Sequence, residues 1–215
     1  MAERMTVLER VGWAPFACTI AALITIAFAG ITWVTSPLWG GNAQAEPRNV
    51  GAVPTTAARP VADPISPNRI VIPKLDVQAP IVRVGKTPDG ELQIPLNPRS
   101  VGWWRDGAKP GAAVGTAILA GHINYAGVTG AMAALGKLNP GDEVDVYGRQ
   151  NADRRHEVRF TVTGVRTYHK TRLPYQQIFD QKSVGRIVIV TCGGPFDAST
   201  GNYRDNIVVF AVPRG

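Results

Sequence analysis

The stretch Ile187-Val188-Ile189-Val190-Thr191-Cys192-Gly193-Gly194 joins a run of β-branched residues to a cysteine and two glycines. A continuous run of this kind favours a strand that is buried on both faces. A thiol at the end of such a strand is either a small apolar core residue or a nucleophile, and the two glycines leave open backbone around it. The other cysteine, Cys18, lies in an apolar N-terminal segment, so the sequence offers no disulfide framework.

Two further polar residues stand beside apolar runs in the same way. His122 follows Thr116-Ala117-Ile118-Leu119-Ala120-Gly121, and Arg204 precedes the apolar run at 207–212. If the strands at 187–191 and 207–212 are antiparallel neighbours, Cys192 and Arg204 lie at the same edge of the sheet. We therefore predict that His122, Cys192 and Arg204 meet at one rim, each at a strand end. This set favours a nucleophile over a core thiol.

The three residue types suit nucleophilic catalysis. A thiol is mostly protonated near neutral pH, so Cys192 needs an adjacent base or a positive neighbour to form a thiolate. His122 can supply either and can then protonate a leaving amine. Arg204 stays charged, so its guanidinium suits the stabilisation of an oxyanion or of a substrate carbonyl.

The whole arrangement resembles the sortases, which are membrane-anchored cysteine transpeptidases of the Gram-positive cell surface. The residues that carry the resemblance are Ala120-Gly121-His122, Val190-Thr191-Cys192 and Arg204, twelve residues after the cysteine. The resemblance runs from about residue 68 to residue 212. The segments at 69–74, 101–104, 191–197 and 200–206 are most similar to the class F sortases. Many sortases have Thr-Leu-x-Thr-Cys where this chain has Val188-Ile189-Val190-Thr191-Cys192.

The resemblance implies a cysteine transpeptidase with His122, Cys192 and Arg204 as catalytic residues. Its partners would be the membrane, a peptidoglycan-precursor amine and secreted proteins that carry a C-terminal LPXTG-like sorting signal. Papain-like peptidases have cysteine before histidine, and the Ser-His-Gly-Cys-Arg block of L,D-transpeptidases is absent here. The alternative is a non-enzymatic, membrane-tethered β-barrel that binds cell-wall components and keeps Cys192 as an inert core thiol.

The N-terminal part contains a long apolar segment, and no charged residue occurs from 11 to 45. Residues 13–36 span about 36 Å as a helix, which exceeds the roughly 30 Å of a bilayer's hydrocarbon core. We predict a cytoplasmic tail at 1–12, a transmembrane signal anchor at 13–36 and a single-pass membrane protein whose catalytic domain is extracytoplasmic. The alternative is a signal peptide that is cleaved after Ala43-Gln44-Ala45, although the apolar stretch exceeds the usual length for one.

The residues after the predicted anchor divide into two regions by composition. Residues 37–68 contain six prolines and six alanines, which predicts a Pro/Ala-rich linker before a catalytic domain at 69–215. The chain has a net charge of +7, but an exported domain rarely meets nucleic acid, so we expect a solvated basic face and no nucleic-acid partner. Zinc-like spacing, a calcium loop and a phosphate-binding glycine motif are all missing, so we expect no cofactor and no metal.

The domain is rich in predicted strands. Residues 157–163 alternate, with Val158, Phe160 and Val162 on one face, and residues 143–147 alternate likewise. Apolar residues from Val128 to Leu138 have helical spacing, and Pro174 suits the first turn of a short helix at 174–181. About eight short strands with one or two short helices predict a mostly-β fold, a closed eight-stranded sortase-like β-barrel.

Overall fold

The computed structural model describes residues 48–55, 64–149 and 155–214, with the backbone alone at Arg155. The predicted tail at 1–12, the predicted anchor at 13–36 and Cys18 lie outside these ranges. Within them, no helix has the length and apolar character needed to cross a membrane.

Eleven strands, one α-helix and three 3₁₀ helices occupy the described ranges. The strands are β1 (Asn49–Gly51), β2 (Ser66–Ile72), β3 (Val77–Val84), β4 (Val101–Trp104), β5 (Thr116–Gly121), β6 (Asn124–Tyr125), β7 (Val128–Thr129), β8 (Glu143–Arg149), β9 (Arg155–His169), β10 (Arg186–Asp197) and β11 (Asn202–Pro213). The α-helix α1 spans Tyr175–Ile178, and the 3₁₀ helices span Pro73–Leu75, Leu135–Lys137 and Lys170–Arg172.

Eight of these strands form a closed barrel. Their order is β9-β11-β10-β5-β4-β3-β2-β8, and β8 pairs again with β9, so the sheet closes on itself. The β5–β10 and β3–β4 pairs are parallel, and the other pairs around the barrel are antiparallel. The prediction of a mostly-β, closed eight-stranded barrel is confirmed. Outside the barrel, β1 pairs with β9, while β6 and β7 form a separate hairpin.

The barrel wall has two buried faces near β5, β10 and β11. The interior cluster takes residues from all eight barrel strands, including Leu119, Ile189 and Val209. A second cluster contains their sequence neighbours Ile118, Val188 and Val208. Because successive side chains of a strand point to opposite faces, the second cluster lies on the outer face of the wall. Odd-numbered residues of β5, β10 and β11 therefore face inward, and even-numbered residues face outward.

The helix predicted between Val128 and Leu138 is wrong. Residues 128–129 form β7, residues 131–134 form a turn, and only Leu135–Lys137 is helical, as a single 3₁₀ turn. The chain has glycine at 127, 130 and 136, which disfavours a continuous helix. The apolar spacing did identify core positions, since Met132, Leu135 and Leu138 are fully buried. The helical turn predicted after Pro174 is present as α1, with Pro174 at its N-cap.

Part of the predicted linker packs on the barrel. Asn49–Gly51 pair with residues 164–166 of β9, and Ile65 is fully buried. The Arg166 guanidinium donates hydrogen bonds to the carbonyl oxygens of Val50 (2.5 Å) and Gly51 (2.6 Å). Arg48 donates to the Gly136 carbonyl at 2.9 Å and to the Asn139 side chain at 2.6 Å. The packed domain therefore begins before residue 69.

Candidate active site

Cys192 lies on the outer face of the barrel wall. It follows Thr191, whose hydroxyl donates a hydrogen bond to the Gly121 carbonyl of β5 at 2.8 Å. The side chains of β10 alternate between the two faces of the wall, with Ile187 and Ile189 inward and Val188 outward. By this alternation Cys192 points outward. Its thiol is a free one, on a partly exposed residue. A partly exposed cysteine differs from the inert, fully buried thiol of the alternative interpretation.

Close contacts require the two glycines after Cys192. A Cβ at Gly193 would lie 2.7 Å from Cγ1 of Ile207, and a Cβ at Gly194 would collide with the carboxyl group of Asp205. Gly194 also has a φ of +70°, in the left-handed region that side-chain-bearing residues rarely adopt. The register between β10 and β11 shifts between Gly193 and Phe196. The glycines therefore let β11 approach closely beside the thiol and let β10 bulge just after it.

Arg204 shares the outer face of β11. Cys192 is the register partner of Asn206, and Arg204 lies two residues before Asn206 on the same side of the strand. Arg204 is exposed. Within residues 48–55, 64–149 and 155–214, its side chain makes no hydrogen bond or salt bridge, so Asp197 and Asp205 do not hold it in an ion pair. Its charged group is free to meet a substrate.

His122 follows β5 directly and lies on the same outer face. The parallel register of β5 and β10 pairs Ala120 with Val190, so His122 and Cys192 each come two residues after this paired position on neighbouring segments. Its Nε2 lies 3.0 Å from the carbonyl oxygen of Pro95. Pro95 lies against the outward-facing Gly102 of β4, since a Cβ added at Gly102 would be 3.1 Å from Cδ of Pro95. His122 thus lies at the end of β5, and Cys192 and Arg204 lie on the adjacent strands β10 and β11, toward the same face.

The site differs from the predicted rim in one respect. His122 does follow a strand end, but Cys192 and Arg204 lie inside β10 and β11, which continue as a hairpin to Asp197 and Asn202. The sequence placed both strand boundaries too close to the apolar runs, because residues 193–197 and 202–206 contain no continuous run of apolar residues. Backbone pairing, not side-chain hydrophobicity, extends the hairpin.

An apolar floor extends from the three residues over the outer face of the barrel. The outer cluster joins the wall residues Trp104, Ile118, Val188, Val208 and Phe210 to Ile178, with Leu92, Leu173, Phe179 and Val190 packed against it. The Trp104 ring meets the Phe179 ring edge to face at 5.4 Å, and Lys86 Nζ lies 5.0 Å from the Trp104 centroid. The wall residues and Ile178 are buried, so the apolar surface that this floor offers beside the site comes from the partly buried Leu92, Leu173, Phe179 and Val190.

Burial and local hydrogen bonds shift the pKa values of groups around the site. Hydrogen bonds from Ser199, helped by the charge of Arg204, lower the pKa of the Asp197 carboxyl. Asp197 is therefore ionised near neutral pH and fixes the hairpin tip through its bonds to Ser199. Burial raises the pKa of the Tyr168 hydroxyl, which keeps that edge of the floor uncharged.

Sequence reasoning missed four residues around His122. They are Pro95, whose carbonyl meets Nε2; Tyr125, whose ring stacks on the imidazole; and Asn124 and Tyr203, which are joined by a hydrogen bond of 2.8 Å. The Pro95 contact could not be predicted from the sequence, because a backbone carbonyl is present in every residue type. Asn124 and Tyr125 do follow the histidine closely, and that proximity was the available clue.

A cavity of about 720 Å³ lies on another part of the barrel. It is lined by residues of β2, β8 and β9, namely Asn68, Arg69, Tyr147, Gly148, Arg149, His156 and Glu157. None of the three predicted catalytic residues lines it. We place the candidate site at Cys192, because a shallow peptide-binding surface need not enclose volume, whereas nucleophilic catalysis does require a thiol. Among the described residues, no cluster of His, Cys, Asp and Glu is arranged to hold a metal ion.

Comparison with known proteins matches this arrangement to one family. The sortase domain family model matches residues 70–214. The fold is similar to that of sortase C1 from Streptococcus agalactiae, with a TM-score of 0.52, 20% identity and coverage of 69% of this chain and 67% of that one. Sortase A from Corynebacterium diphtheriae has a TM-score of 0.51 and 15% identity, with coverage of 72% of this chain and 63% of that one. Sortase C1 from Streptococcus suis has a TM-score of 0.51 and 15% identity, with coverage of 71% of this chain and 74% of that one. No curated protein sequence matches the chain.

The structural likenesses, at 15–20% identity, concern the fold. The family match spans two thirds of the sequence, and the matched residues include His122, Cys192 and Arg204. Taken with the closed barrel, it establishes that this chain belongs to the sortase family.

Proposed function

We propose that this protein is a class F sortase that joins secreted proteins to a cell-wall amine through a thioacyl intermediate on Cys192. The observation that carries the proposal is one shared outer face, with His122 at the end of β5 and Cys192 and Arg204 on the adjacent strands β10 and β11. Neighbouring strands lie about 4.8 Å apart, so groups on this face are within reach of one peptide bond.

The first step is acylation of Cys192. The thiolate Sγ attacks the carbonyl carbon of the Thr–Gly bond in an LPXTG-like sorting signal, and Arg204 donates hydrogen bonds to the oxyanion that develops. The C–N bond then breaks, and His122 gives a proton to the leaving amine. The product is a thioester between Cys192 and the threonine carbonyl, together with a free glycine amine.

The second step transfers the acyl group. An amine of a peptidoglycan precursor attacks the thioester carbonyl, the C–S bond breaks, and the Cys192 thiolate is restored. His122 accepts the proton that the incoming amine loses. One peptide bond is broken and one is made, so no cofactor or external energy source is needed.

The proposal includes the location of the protein. The apolar segment at 13–36 anchors it in the cell membrane in a single pass, with residues 1–12 in the cytoplasm and the barrel outside. The sorting signal and the lipid-linked amine acceptor both reach the outer membrane surface, where an anchored barrel meets them.

The test is mass spectrometry of the full-length protein, in detergent, incubated with peptides that carry LPXTG-like signals. We expect a mass increase on Cys192 equal to the N-terminal peptide fragment, and its transfer to an added amine. A Cys192→Ala variant should show neither. Binding of cell-wall fragments without any acylation of the wild-type protein would instead favour the non-enzymatic barrel.

A further inference from the structure

The imidazole of His122 is held on two sides. Its Nε2 lies 3.0 Å from the Pro95 carbonyl oxygen. A carbonyl oxygen only accepts hydrogen bonds, so Nε2 must carry the proton of this bond. The Tyr125 ring stacks on the imidazole, with centroids 4.9 Å apart and planes inclined by 25°. The hydrogen bond fixes the rotation of the ring, and the stacking fixes its plane.

The hairpin that carries Tyr125 is itself braced. Tyr125 belongs to the β6–β7 hairpin, and the neighbouring Asn124 side chain donates a hydrogen bond to the Tyr203 hydroxyl of β11 at 2.8 Å. Tyr203 also meets Phe196 edge to face at 5.3 Å. The hairpin after His122 is therefore tied to the same β10–β11 hairpin that carries Cys192 and Arg204.

The turn conformation supports this bracing. Ala126 and Gly127 both have positive φ values, +49° and +77°, as a two-residue turn of the primed type requires. Gly130 ends the hairpin against the histidine itself, since an added Cβ there would collide with the His122 backbone. The turn thus brings one face of the Tyr125 ring onto the imidazole, while the residue stays 45% exposed.

We propose that Tyr125 is a positioning residue for His122, and that His122 exchanges the catalytic proton through Nδ1. The inference rests on the proposed transpeptidase function. With Nε2–H held by Pro95, Nδ1 is the nitrogen left for chemistry: it gives its proton to the leaving amine in acylation and takes one from the incoming amine afterwards. The Tyr125 face also lies where an aromatic ring stabilises an imidazolium, the form that His122 has before the first transfer and regains in the second.

The first test is NMR of the histidine rings in the full-length protein, which has three histidines. Loss of one signal in His122→Ala assigns its ring. We expect an upfield ring-current shift of the His122 carbon-bound protons that Tyr125→Phe keeps and Tyr125→Ala loses. In the neutral ring, the nitrogen shifts should show a protonated Nε2 and an unprotonated Nδ1. Unchanged proton shifts in Tyr125→Ala, or a protonated Nδ1, would overturn the proposal.

The second test is steady-state kinetics of sorting-signal cleavage. Misplacement of a catalytic group costs up to about a hundredfold in rate, so Tyr125→Ala should lower kcat between about tenfold and a hundredfold with little change in KM. Tyr125→Phe should restore most of kcat, because it retains the stacked ring. Tyr147→Ala is the control, since that tyrosine stacks under Arg69 at 4.2 Å on the opposite part of the barrel. Equal losses in the Tyr125→Ala and Tyr125→Phe variants would refute the role of the ring.

The bracing gives an independent check. Asn124→Ala and Tyr203→Phe each remove the same hydrogen bond, so their kcat losses should be similar and the double variant no worse than either single one. Additive losses would contradict a shared role in holding the hairpin. If the wild-type protein forms no thioester, the proposed function fails. The NMR result would still show whether the ring is held as described.

Discussion

At the scale of single residues, Arg204 shows whether the site uses its charged groups for structure or for catalysis. It is exposed and, among the described residues, has no salt-bridge partner. A structural arginine would pair with Asp197 or Asp205, and neither pairing occurs. Its freedom agrees with a role in which the guanidinium meets a charge that exists only during the reaction.

Replacing Arg204 should therefore affect catalysis and spare stability. Loss of one oxyanion donor typically costs on the order of 10²–10³ in rate, so Arg204→Ala should lower kcat/KM by about that factor. Arg204→Lys keeps the charge but loses the planar fork and should remain clearly impaired. Kinetics and thermal unfolding measured on one preparation check this. A lowered Tm with normal kcat/KM would indicate a structural arginine.

Cys192 is the second residue whose role is testable alone. Cys192→Ala should abolish thioester formation, because the sequence has no other cysteine beyond Cys18. Cys192→Ser should be nearly as damaging, since a hydroxyl has a far higher pKa than a thiol and needs a stronger base than imidazole. Intact-mass measurement with a sorting-signal peptide checks both variants. Retained turnover in the alanine variant would move the chemistry elsewhere.

At the scale of elements, the β10–β11 hairpin determines the site. It extends past β5, which pairs with β10 only as far as Val190. Gly194 has a positive φ and faces Asp205 closely, whereas Gly201 at the tip has a positive φ of +64° and no atom near its missing Cβ. A substitution at Gly201 would therefore test backbone strain alone, and one at Gly194 would test strain together with a steric collision.

Alanine at these two positions should have different effects. Gly201→Ala adds only the left-handed backbone cost of about 1–2 kcal/mol, at a tip far from the thiol. Gly194→Ala adds the collision with Asp205 and should displace Cys192, lowering kcat/KM at least about tenfold against less than about threefold for Gly201→Ala. Kinetic assays and urea unfolding of both variants check this. Equal activity losses would show that the Asp205 contact is unimportant.

The N-terminal strand β1 depends on a second element-scale contact. Arg166 donates hydrogen bonds to the Val50 and Gly51 carbonyls, and bonds from a charged donor contribute about 1.5–3 kcal/mol when buried. These are partly exposed, so Arg166→Met should cost about 1–2 kcal/mol of unfolding free energy. The exposed Arg99→Met is the control and should stay within about 0.5 kcal/mol. Equal effects in chemical denaturation would show that the strand adds no stability.

At the scale of the whole molecule, the proposed membrane anchor is separated from the barrel by a short stretch of chain. Barrel packing already includes residues 48–55, so few residues separate it from the apolar segment at 13–36. If residues 13–36 anchor the protein as proposed, so short a connection would hold the barrel close to the membrane surface.

The membrane anchor is itself a prediction. Protein purified from membranes should retain residues 13–36 and should resist extraction by high salt and alkaline buffer, because a spanning helix is held by apolar burial rather than by charge. N-terminal sequencing of the mature protein decides between the two interpretations. A new N-terminus at Glu46 would show cleavage after Ala45 and would replace the anchor with a signal peptide.

The sequence by itself determined the strand content, the core positions and the identity of the chemical groups. These features are local in the sequence and can therefore be recognised without the structure. They are the alternation at 143–147 and 157–163, the β-branched runs in β10 and β11, and the Cys192-Gly193-Gly194 motif. The same local spacing was misleading at 128–138, where glycines and the packing against His122 overrode the helical pattern.

Tertiary structure alone decided which groups meet. Closure through the β8–β9 pair, the outer-face position of the site and the docking of β1 depend on strand register, which joins residues far apart in the chain. Pro95 reaches His122 across 27 residues through a backbone carbonyl, a group that every residue type has. No side-chain pattern encodes such a contact, because it arises only when the strands on either side have paired.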